Sequence, residues 1–400
     1  MNARDFSRRD FLRATAATTV AGMYLGGARP ASASVPDLLK IEEPCHGAIL
    51  HERLGEKTDG GLKIRVSGEA PQRDTVTVNG RPTVRTGRNF AAEVVLDKKV
   101  NDITAVAQGG SGRQQHAIKV VWDKHSSRRY RFAIDDNSFF LRDIARKDYP
   151  SLFDCFYLKM LQDLHVRYGT RFVLNAYYTT ADGFDLRQFP DKYKGQWRDN
   201  ADWLKLSFHA YANDPDRPYQ YAPVAKLLAD WDLVADQIRR FAGEDTYSPP
   251  TVVHWASVVP EALGPLHQRG VKVLTGGFVF RYGEWDGSYH LEDARAEYVS
   301  RSDGLMDFDS GIVFSKADII CNKAPVKTIV PLLESLAADP RQAEVMDCFT
   351  HEQYFWPFYP HHIPDHAQRL DTAIRWLTEH GYKPVYFHEG FLGGPDWNQP

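Results

Sequence analysis

The feature that most constrains the fold is an alternation of short apolar strands with helical segments over residues 130–387. The predicted strands are 130–134, 171–176, 204–208, 251–253, 271–274, 317–321, 344–349 and 384–387. Helical segments lie between them at 151–168, 222–241, 260–269, 326–337 and 365–380. Strands that alternate with helices in this way form parallel sheets. The seven or eight repeats predict an α/β fold, a (β/α)7-8 barrel. A doubly wound sheet is the alternative, but no glycine-rich dinucleotide fingerprint follows the first strand.

The segment before this alternation has the pattern of an all-β domain. Residues 62–66 and 75–78 alternate apolar with polar side chains, and Asn79-Gly80 is a hairpin-turn pair. Short strands separated by turns are typical of a β-sandwich. We therefore predict an immunoglobulin-like module over residues 40–124 and the α/β barrel over residues 128–392.

The N-terminus carries the features of a twin-arginine signal peptide. The run Ser7-Arg8-Arg9-Asp10-Phe11-Leu12 precedes an apolar stretch over residues 14–26, which is too short to span a bilayer. Ala31-Ser32-Ala33 is a small-x-small cleavage site. We expect residues 1–33 to direct export through the Tat translocon, with cleavage near Ala33 and a periplasmic or secreted product.

Composition excludes some classes of function. The net charge of −3 gives no electrostatic case for nucleic-acid binding. The four cysteines form no CxxC pair, so a cysteine zinc site is not expected, and no membrane span is expected after the signal. The 9 Trp and 19 Tyr residues suit sugar-binding clefts, although aromatic residues also fill large cores.

Polar residues follow five of the predicted strands, where each strand ends. They are Asp135 and Asp136, His209 and Asn213, His254 and Trp255, His351 and Glu352, and His388 and Glu389. In barrels, functional residues collect at the carboxyl ends of the strands. The pattern therefore predicts one site made by five strands.

The adjacent carboxylates of Asp135 and Asp136 indicate a metal ion. Like charges a few ångströms apart repel unless a cation lies between them. One carboxylate would bind the ion while the other accepts a proton from water. The alternative is a solvated turn at the end of a strand.

Three motifs resemble those of the polysaccharide deacetylase (NodB-homology) superfamily over residues 130–392. They are Phe132-Ala-Ile-Asp135-Asp136-Asn137, Ser207-Phe208-His209 with Asn213, and Cys348-Phe-Thr-His351. The resemblance implies hydrolysis of N- or O-acetyl groups on a poly- or oligosaccharide, with a divalent metal, usually zinc. It also implies that Asp135 is the catalytic base and His351 the general acid.

The resemblance assigns Asp136 and His209 as metal ligands and places Asn213 at the position of the third. An amide oxygen is a poorer zinc ligand than imidazole, so His254 or His351 could complete the site instead. Tyr211 is expected to help to stabilise the oxyanion. Further candidates for substrate binding or alternative ligands are Arg217, Trp255, Glu352, His388 and Glu389. Asn137 replaces the family's glycine, and its arginine motif has no clear match.

Two other functions stay open at this point. A glycoside hydrolase would pair Asp135 with Glu352 or Glu389, at a carboxylate separation of ~5–9.5 Å. A barrel without catalytic activity could bind a glycan.

Overall fold

The structure, a computed structural model, describes residues 38–110 and 112–394. The predicted signal peptide over residues 1–33 lies outside these ranges. No helix within the described ranges is long and apolar enough to cross a membrane.

The first region is built mainly from strands, in two sheets, with one short 3-10 helix at Glu52–Leu54. The strands are β1 (Lys40–Glu43), β2 (Ile49–Leu50), β3 (Glu56–Thr58), β4 (Gly61–Glu69), β5 (Thr75–Val78), β6 (Arg81–Pro82), β7 (Val84–Thr86), β8 (Asn89–Leu96), β9 (Val100–Gly109) and β10 (Gly112–Trp122). One sheet has the order β1-β4-β8-β7 with β3 on β4, and the other has the order β2-β10-β9-β5-β6. Alternate side chains of β4, such as Leu62, Ile64 and Val66, are buried, as in a sheet with one face on a core. The assignment of this region as an immunoglobulin-like module stays a prediction.

Strands and helices alternate in the second region. The strands are β11 (Arg129–Asn137), β12 (Phe172–Tyr177), β13 (Leu204–Ala210), β14 (Val273–Gly276), β15 (Val279–Arg281), β16 (Glu284–Asp286), β17 (Leu305–Asp307), β18 (Ile312–Lys316), β19 (Ile319–Ile320), β20 (Val345–His351) and β21 (Lys383–Pro384). The helices are α1 (Phe139–Lys147), α2 (Phe156–Tyr168), α3 (Lys194–Arg198), α4 (Val224–Phe241), α5 (Leu263–Gln268), α6 (Asp293–Ser300), α7 (Val326–Ala338) and α8 (His366–Glu379). The predicted α/β class is confirmed.

The strands of this region form two main sheets, and no closed barrel ladder is found among the described residues. A parallel sheet has the order β13-β12-β11-β20-β19 with β21 on β11, and a second sheet has the order β14-β18-β17. The segment 248–251 bridges the two sheets through isolated backbone hydrogen bonds, from Ser248 N to Leu206 O at 2.9 Å and from Thr275 N to Thr251 O at 2.8 Å. The predicted strand at 251–253 is absent, because Pro249 and Pro250 before it have no N–H to donate to a ladder. The regular (β/α)7-8 barrel is thus not formed as predicted.

The parallel sheet has two unlike edges. We call the ends where its strands begin the amino edge, and the ends where they finish the carboxyl edge. Ile49 and Val121 of the first region pack into one apolar cluster with Val273, Val313 and Val345, which lie at or near the starts of their strands. The first region therefore covers the amino edge.

Candidate metal centre

Two irregularities direct the paired carboxylates of β11 into one site. Successive side chains of a regular strand point to opposite faces. The pairing of β11 with β12 shifts register between Ile134 and Asn137, and Asp136 has a left-handed φ of 62°. Bulges of this kind redirect side chains beside active sites, and aspartate tolerates the left-handed region better than most residues. The side chains of Asp135 and Asp136 can therefore both lie at the same end of the strand.

A second bulge lies where β12 and β13 end. Ala176 pairs with Phe208 and Tyr177 pairs with Ala210, so His209 is the extra residue on β13. The imidazole of His209 and the phenol of Tyr177 lie side by side, with ring centroids 5.4 Å apart. Both side chains are buried.

Three ligand atoms converge at this carboxyl edge. His209 Nε2 is 3.2 Å from Asp136 Oδ1, and His254 Nδ1 is 3.0 Å from His209 Nε2 and 3.7 Å from Asp136 Oδ1. A tetrahedral zinc ion with Zn–N bonds of about 2.0–2.1 Å separates its ligand atoms by roughly 3.3 Å. Two imidazoles and one carboxylate at these separations fit a zinc-type divalent ion, which makes this cluster a candidate metal triad.

His254 takes the place predicted for Asn213. The Nε2 of His254 lies 3.3 Å from the backbone carbonyl oxygen of Asn213, a suitable acceptor for its N–H. With Nε2 so occupied, Nδ1 is the nitrogen left to bind an ion. The side-chain oxygen of Asn213 instead lies 3.5 Å from the Tyr177 hydroxyl. Asn213 thus contacts the third member of the candidate triad through its backbone and is not itself part of the triad.

The carboxylate of Asp136 is held on both oxygens. The Tyr177 hydroxyl donates to Oδ1, and Gln353 Nε2 donates to Oδ2 at 2.7 Å. The same hydroxyl lies 3.3 Å from His254 Nδ1. Tyr177 therefore contacts two members of the triad.

Electrostatic interactions between the carboxylates and histidines of the site shift the pKa values of the triad. Burial alone would raise the pKa of Asp136, but His351, His209 and His254 hold this pKa far below its ordinary range. Burial alone would lower the pKa of His209, but Asp135 and Asp136 outweigh burial and raise it. Burial and the neighbouring His209 lower the pKa of His254 to about 4, so this imidazole is neutral near pH 7. A carboxylate and a neutral imidazole are the forms that bind metals. Asp136 and His254 are therefore in the form of ligands, whereas the raised pKa of His209 favours the imidazolium, which must release its proton when an ion binds.

Asp135 and His351 face each other across the same edge. They are register partners in the β11–β20 pairing. Asp135 is buried, and its Oδ1 accepts from Asn175 Nδ2 at 2.7 Å. His351 Nδ1 lies 3.0 Å from Asn322 Oδ1, and since an amide oxygen only accepts, Nδ1 carries the proton. This leaves His351 Nε2 as the nitrogen that can exchange a proton.

Glu352 follows His351 but has another role. Its Oε2 accepts from the backbone N–H groups of Ser138 and Phe139, at 2.7 and 2.8 Å. Its Oε1 accepts from Phe140 N and from Trp356 Nε1. The carboxylate thus caps the start of α1, a position that favours negative charge. Burial nevertheless raises the pKa of Glu352 to about 7.

His388 and Glu389 do not lie with the other candidates. The strand that precedes them, β21, is short and pairs with the first residues of β11, Arg129 and Tyr130. Glu389 Oε2 is 3.9 Å from Arg171, which immediately precedes β12. Both residues therefore lie at the amino edge, and the prediction of five strands at one edge is wrong for the last strand.

The other three candidates line the carboxyl edge with partly exposed side chains. Trp255 is 38% exposed and directly follows His254, while Tyr211 is 41% exposed and lies two residues beyond His209. The guanidinium of Arg217 stacks over Trp255, 5.2 Å from the ring centroid, and pairs with Asp286 at 2.7 Å. The backbone N–H of Tyr211 donates to a neighbouring hydroxyl and is not free for an oxyanion.

Sequence reasoning missed four polar residues of the site: Asn175, Tyr177, Asn322 and Gln353. Asn175 and Tyr177 end the second predicted strand, and the rule used for the other strands applies to them as well. Asn322 directly follows the predicted strand at 317–321, so the same rule applies to it. Nothing in the sequence distinguishes Gln353 from a surface amide.

No protein-family model and no curated protein matches this chain. Among solved structures, a 4-α-glucanotransferase from Thermococcus litoralis is 15% identical with a TM-score of 0.43, over 66% of this chain and 40% of that chain. A protein assigned as a polysaccharide deacetylase of O-antigen biosynthesis from Bordetella bronchiseptica is 13% identical with a TM-score of 0.28, over 68% and 89%. A protein assigned as an α-galactosidase from Bacteroides fragilis is 10% identical with a TM-score of 0.24, over 86% and 80%. All three TM-scores lie below 0.5, so the likenesses do not decide an activity.

Proposed function

We propose that this protein is a metal-dependent hydrolase that removes an N- or O-acetyl group from a carbohydrate. The observation that carries the proposal is the triad of Asp136, His209 and His254, whose ligand atoms all lie within 4.8 Å of one another. Asp135 and His351 flank it as register partners across two strands. Together they provide an ion site, a base and an acid at one edge of a sheet.

Asp136, His209 and His254 would hold the ion, with zinc favoured by the two imidazoles. When bound, such an ion supplies a Lewis acid that lowers the pKa of water and polarises a carbonyl oxygen. Gln353 and Tyr177 keep the Asp136 carboxylate oriented by donating to its two oxygens.

Asp135 would take the proton of the attacking water. Asn175 holds its Oδ1, which leaves Oδ2 to act as the base. His351 would give a proton to the leaving nitrogen or oxygen from Nε2, since Asn322 holds its Nδ1.

The aromatic side chains beside the triad support a carbohydrate substrate. Trp255 and Tyr211 each follow a ligand closely and keep part of the ring exposed. Aromatic rings offer an apolar surface that suits the C–H face of a pyranose.

A glycoside hydrolase is less favoured by this geometry. Both oxygens of Glu352 accept hydrogen bonds at the start of α1, and Glu389 lies at the amino edge. Neither carboxylate is therefore a suitable partner for Asp135.

The test is release of acetate from acetylated xylan and from N-acetylglucosamine hexamer, before and after treatment with a chelator. We expect acetate release that the chelator abolishes and that added zinc restores. New reducing ends without acetate would indicate a glycosidase. Binding of either glycan without turnover, with zinc, cobalt or manganese present, would indicate a non-catalytic glycan-binding protein.

A further inference from the structure

An exposed aromatic hairpin stands beside the candidate metal centre. It comprises residues 278–290 and includes β15 and β16, which pair as an antiparallel ribbon. Phe280 is 57% exposed and Tyr282 at its turn is 91% exposed, and Val279 is exposed as well. Single exposed apolar side chains are common on proteins, but several large ones clustered together are typical of a binding surface.

The base of the hairpin is bonded to the segment that carries His254. The hydroxyl of Tyr289 accepts from the backbone N–H of Val253 at 3.3 Å. The backbone N–H of Tyr289 donates to Ala256 O at 3.1 Å. Tyr289 therefore holds the two residues that flank His254 and Trp255.

A second connection runs through Asp286 on β16. Its carboxylate pairs with Arg217 and with Arg281, and Arg217 also stacks over Trp255. The surface is thus continuous from the triad to Trp255, then to Arg217, and then to the hairpin.

The backbone of the hairpin is unusual for its side chains. Phe278, Tyr282, Tyr289 and His290 have φ between +45° and +57°. Bulky residues rarely adopt this left-handed region, and such conformations concentrate at ligand sites and clamps. The hairpin therefore has a backbone conformation that its own residue types disfavour.

We propose that the aromatic hairpin is a distal glycan-binding surface, which stacks on sugar units beyond the one that is deacetylated. This inference rests on the proposed function, because it extends the substrate contacts of the same site. The rings of Phe280 and Tyr282 would stack on sugar units that extend from Trp255.

The hairpin is less suited to a membrane surface. Peripheral membrane segments combine apolar side chains with unpaired basic ones that contact anionic lipid. Here Arg281 is paired with Asp286, and Glu284 adds a negative charge to the same ribbon.

The test compares the wild-type chain with a Phe280→Ala/Tyr282→Ala variant, with Val84→Ala as a matched control. Val84 is an exposed apolar residue on β7 of the first region, away from the carboxyl edge. Tryptophan fluorescence gives the Kd for dimers and hexamers of N-acetylglucosamine and of O-acetylated xylose. Hydrolysis of p-nitrophenyl acetate, with and without chelator, reports on the metal site itself.

We expect the wild type to bind a hexamer more tightly than the dimer. The hairpin variant should weaken hexamer binding about tenfold, the loss expected for removing aromatic contacts, and should leave dimer binding and ester hydrolysis within about twofold. Equal weakening for dimer and hexamer would overturn the inference, as would a wild type without preference for either hexamer.

Loss of binding to phosphatidylglycerol vesicles with unchanged hexamer binding would assign the hairpin to membranes instead. Failure of the proposed function has a separate signature: no chelator-sensitive ester hydrolysis in any of the three proteins.

Discussion

Both edges of the parallel sheet carry buried or half-buried histidines, in opposite electrostatic surroundings. At the carboxyl edge, His209 and His254 lie against the carboxylate of Asp136. At the amino edge, His388 lies among cations, and burial together with Lys205, Lys272 and Arg171 lowers its pKa to about 3. A buried histidine is therefore not by itself a sign of a metal site, and the sign of the neighbouring charge separates the two cases.

The edges also differ in backbone regularity. The carboxyl edge contains two register shifts and a left-handed aspartate, whereas the same two pairings, of β11 with β12 and of β12 with β13, are regular over their first residues. Apolar side chains of the first region cover the amino edge. Irregular backbone thus coincides with the edge that the first region leaves uncovered, as expected where side chains are redirected for function.

The largest expected effect is the loss of zinc from a variant at the carboxyl edge, while a matched variant at the amino edge keeps its zinc. His209→Ala removes a ligand, so bound zinc should fall from about one ion per chain to almost none, with acetate release lost. His388→Ala at the amino edge should leave zinc content and activity within twofold. Elemental analysis of both proteins checks this, and equal zinc loss in both would mean that the edges do not differ as described.

The next effect separates the base from the ligands within the carboxyl edge. Asp135→Asn keeps the size of the side chain but removes the base, so activity should fall about 10²–10⁴-fold while zinc stays bound. Glu389→Gln is the matched change at the amino edge and should have no effect on activity. If Asp135→Asn also loses its zinc, then Asp135 is a ligand and the division of roles is wrong.

A smaller effect concerns the hydroxyl that orients Asp136. Tyr177→Phe removes this donor, and zinc affinity should weaken by about 10- to 100-fold, the usual cost of losing such a partner. Competition with a chromophoric chelator measures the affinity. Tyr178→Phe changes the next residue, whose ring stacks on Tyr211, and serves as the control. Unchanged affinity in Tyr177→Phe would show that the hydroxyl does not support the triad.

The smallest effect is a pH dependence set by the amino edge. Because the pKa of His388 is about 3 in the folded chain and near 6.5 when unfolded, only the unfolded chain takes up this proton between these values. The free energy of unfolding should therefore decrease as pH falls below 6.5, on the order of 1 kcal/mol per pH unit from this group. His388→Asn removes this contribution, and Glu352 and the other groups titrate in both proteins. Urea unfolding from pH 7.5 to 4.5 with chelator present checks it, and parallel curves would contradict it.

Much of the fold was predictable because it depends on local pattern. The predicted helices at 326–337 and 365–380 correspond to α7 (Val326–Ala338) and α8 (His366–Glu379). Apolar periodicity and strand composition depend on neighbouring residues, so they can be recognised from one sequence. Helix α1 was missed, because a distant residue, Glu352, stabilises its start.

The site was predictable only in part. The strand-end rule identified Asp135, Asp136 and His209, and it named His254 as an alternative ligand. It could not distinguish His254 from Asn213, because that choice depends on how a loop after residue 213 returns to the site. It also placed His388 at the wrong edge, because a two-residue strand ends before it reaches the carboxyl side.

The most direct test of the candidate triad is the zinc content of two variants, His254→Ala and Asn213→Ala, beside the wild type. Asn213 contacts His254 through a backbone carbonyl that alanine keeps, so Asn213→Ala should retain about one zinc per chain. His254→Ala should lose it, since the third ligand is then absent. Zinc retained in His254→Ala and lost in Asn213→Ala would contradict the triad of Asp136, His209 and His254.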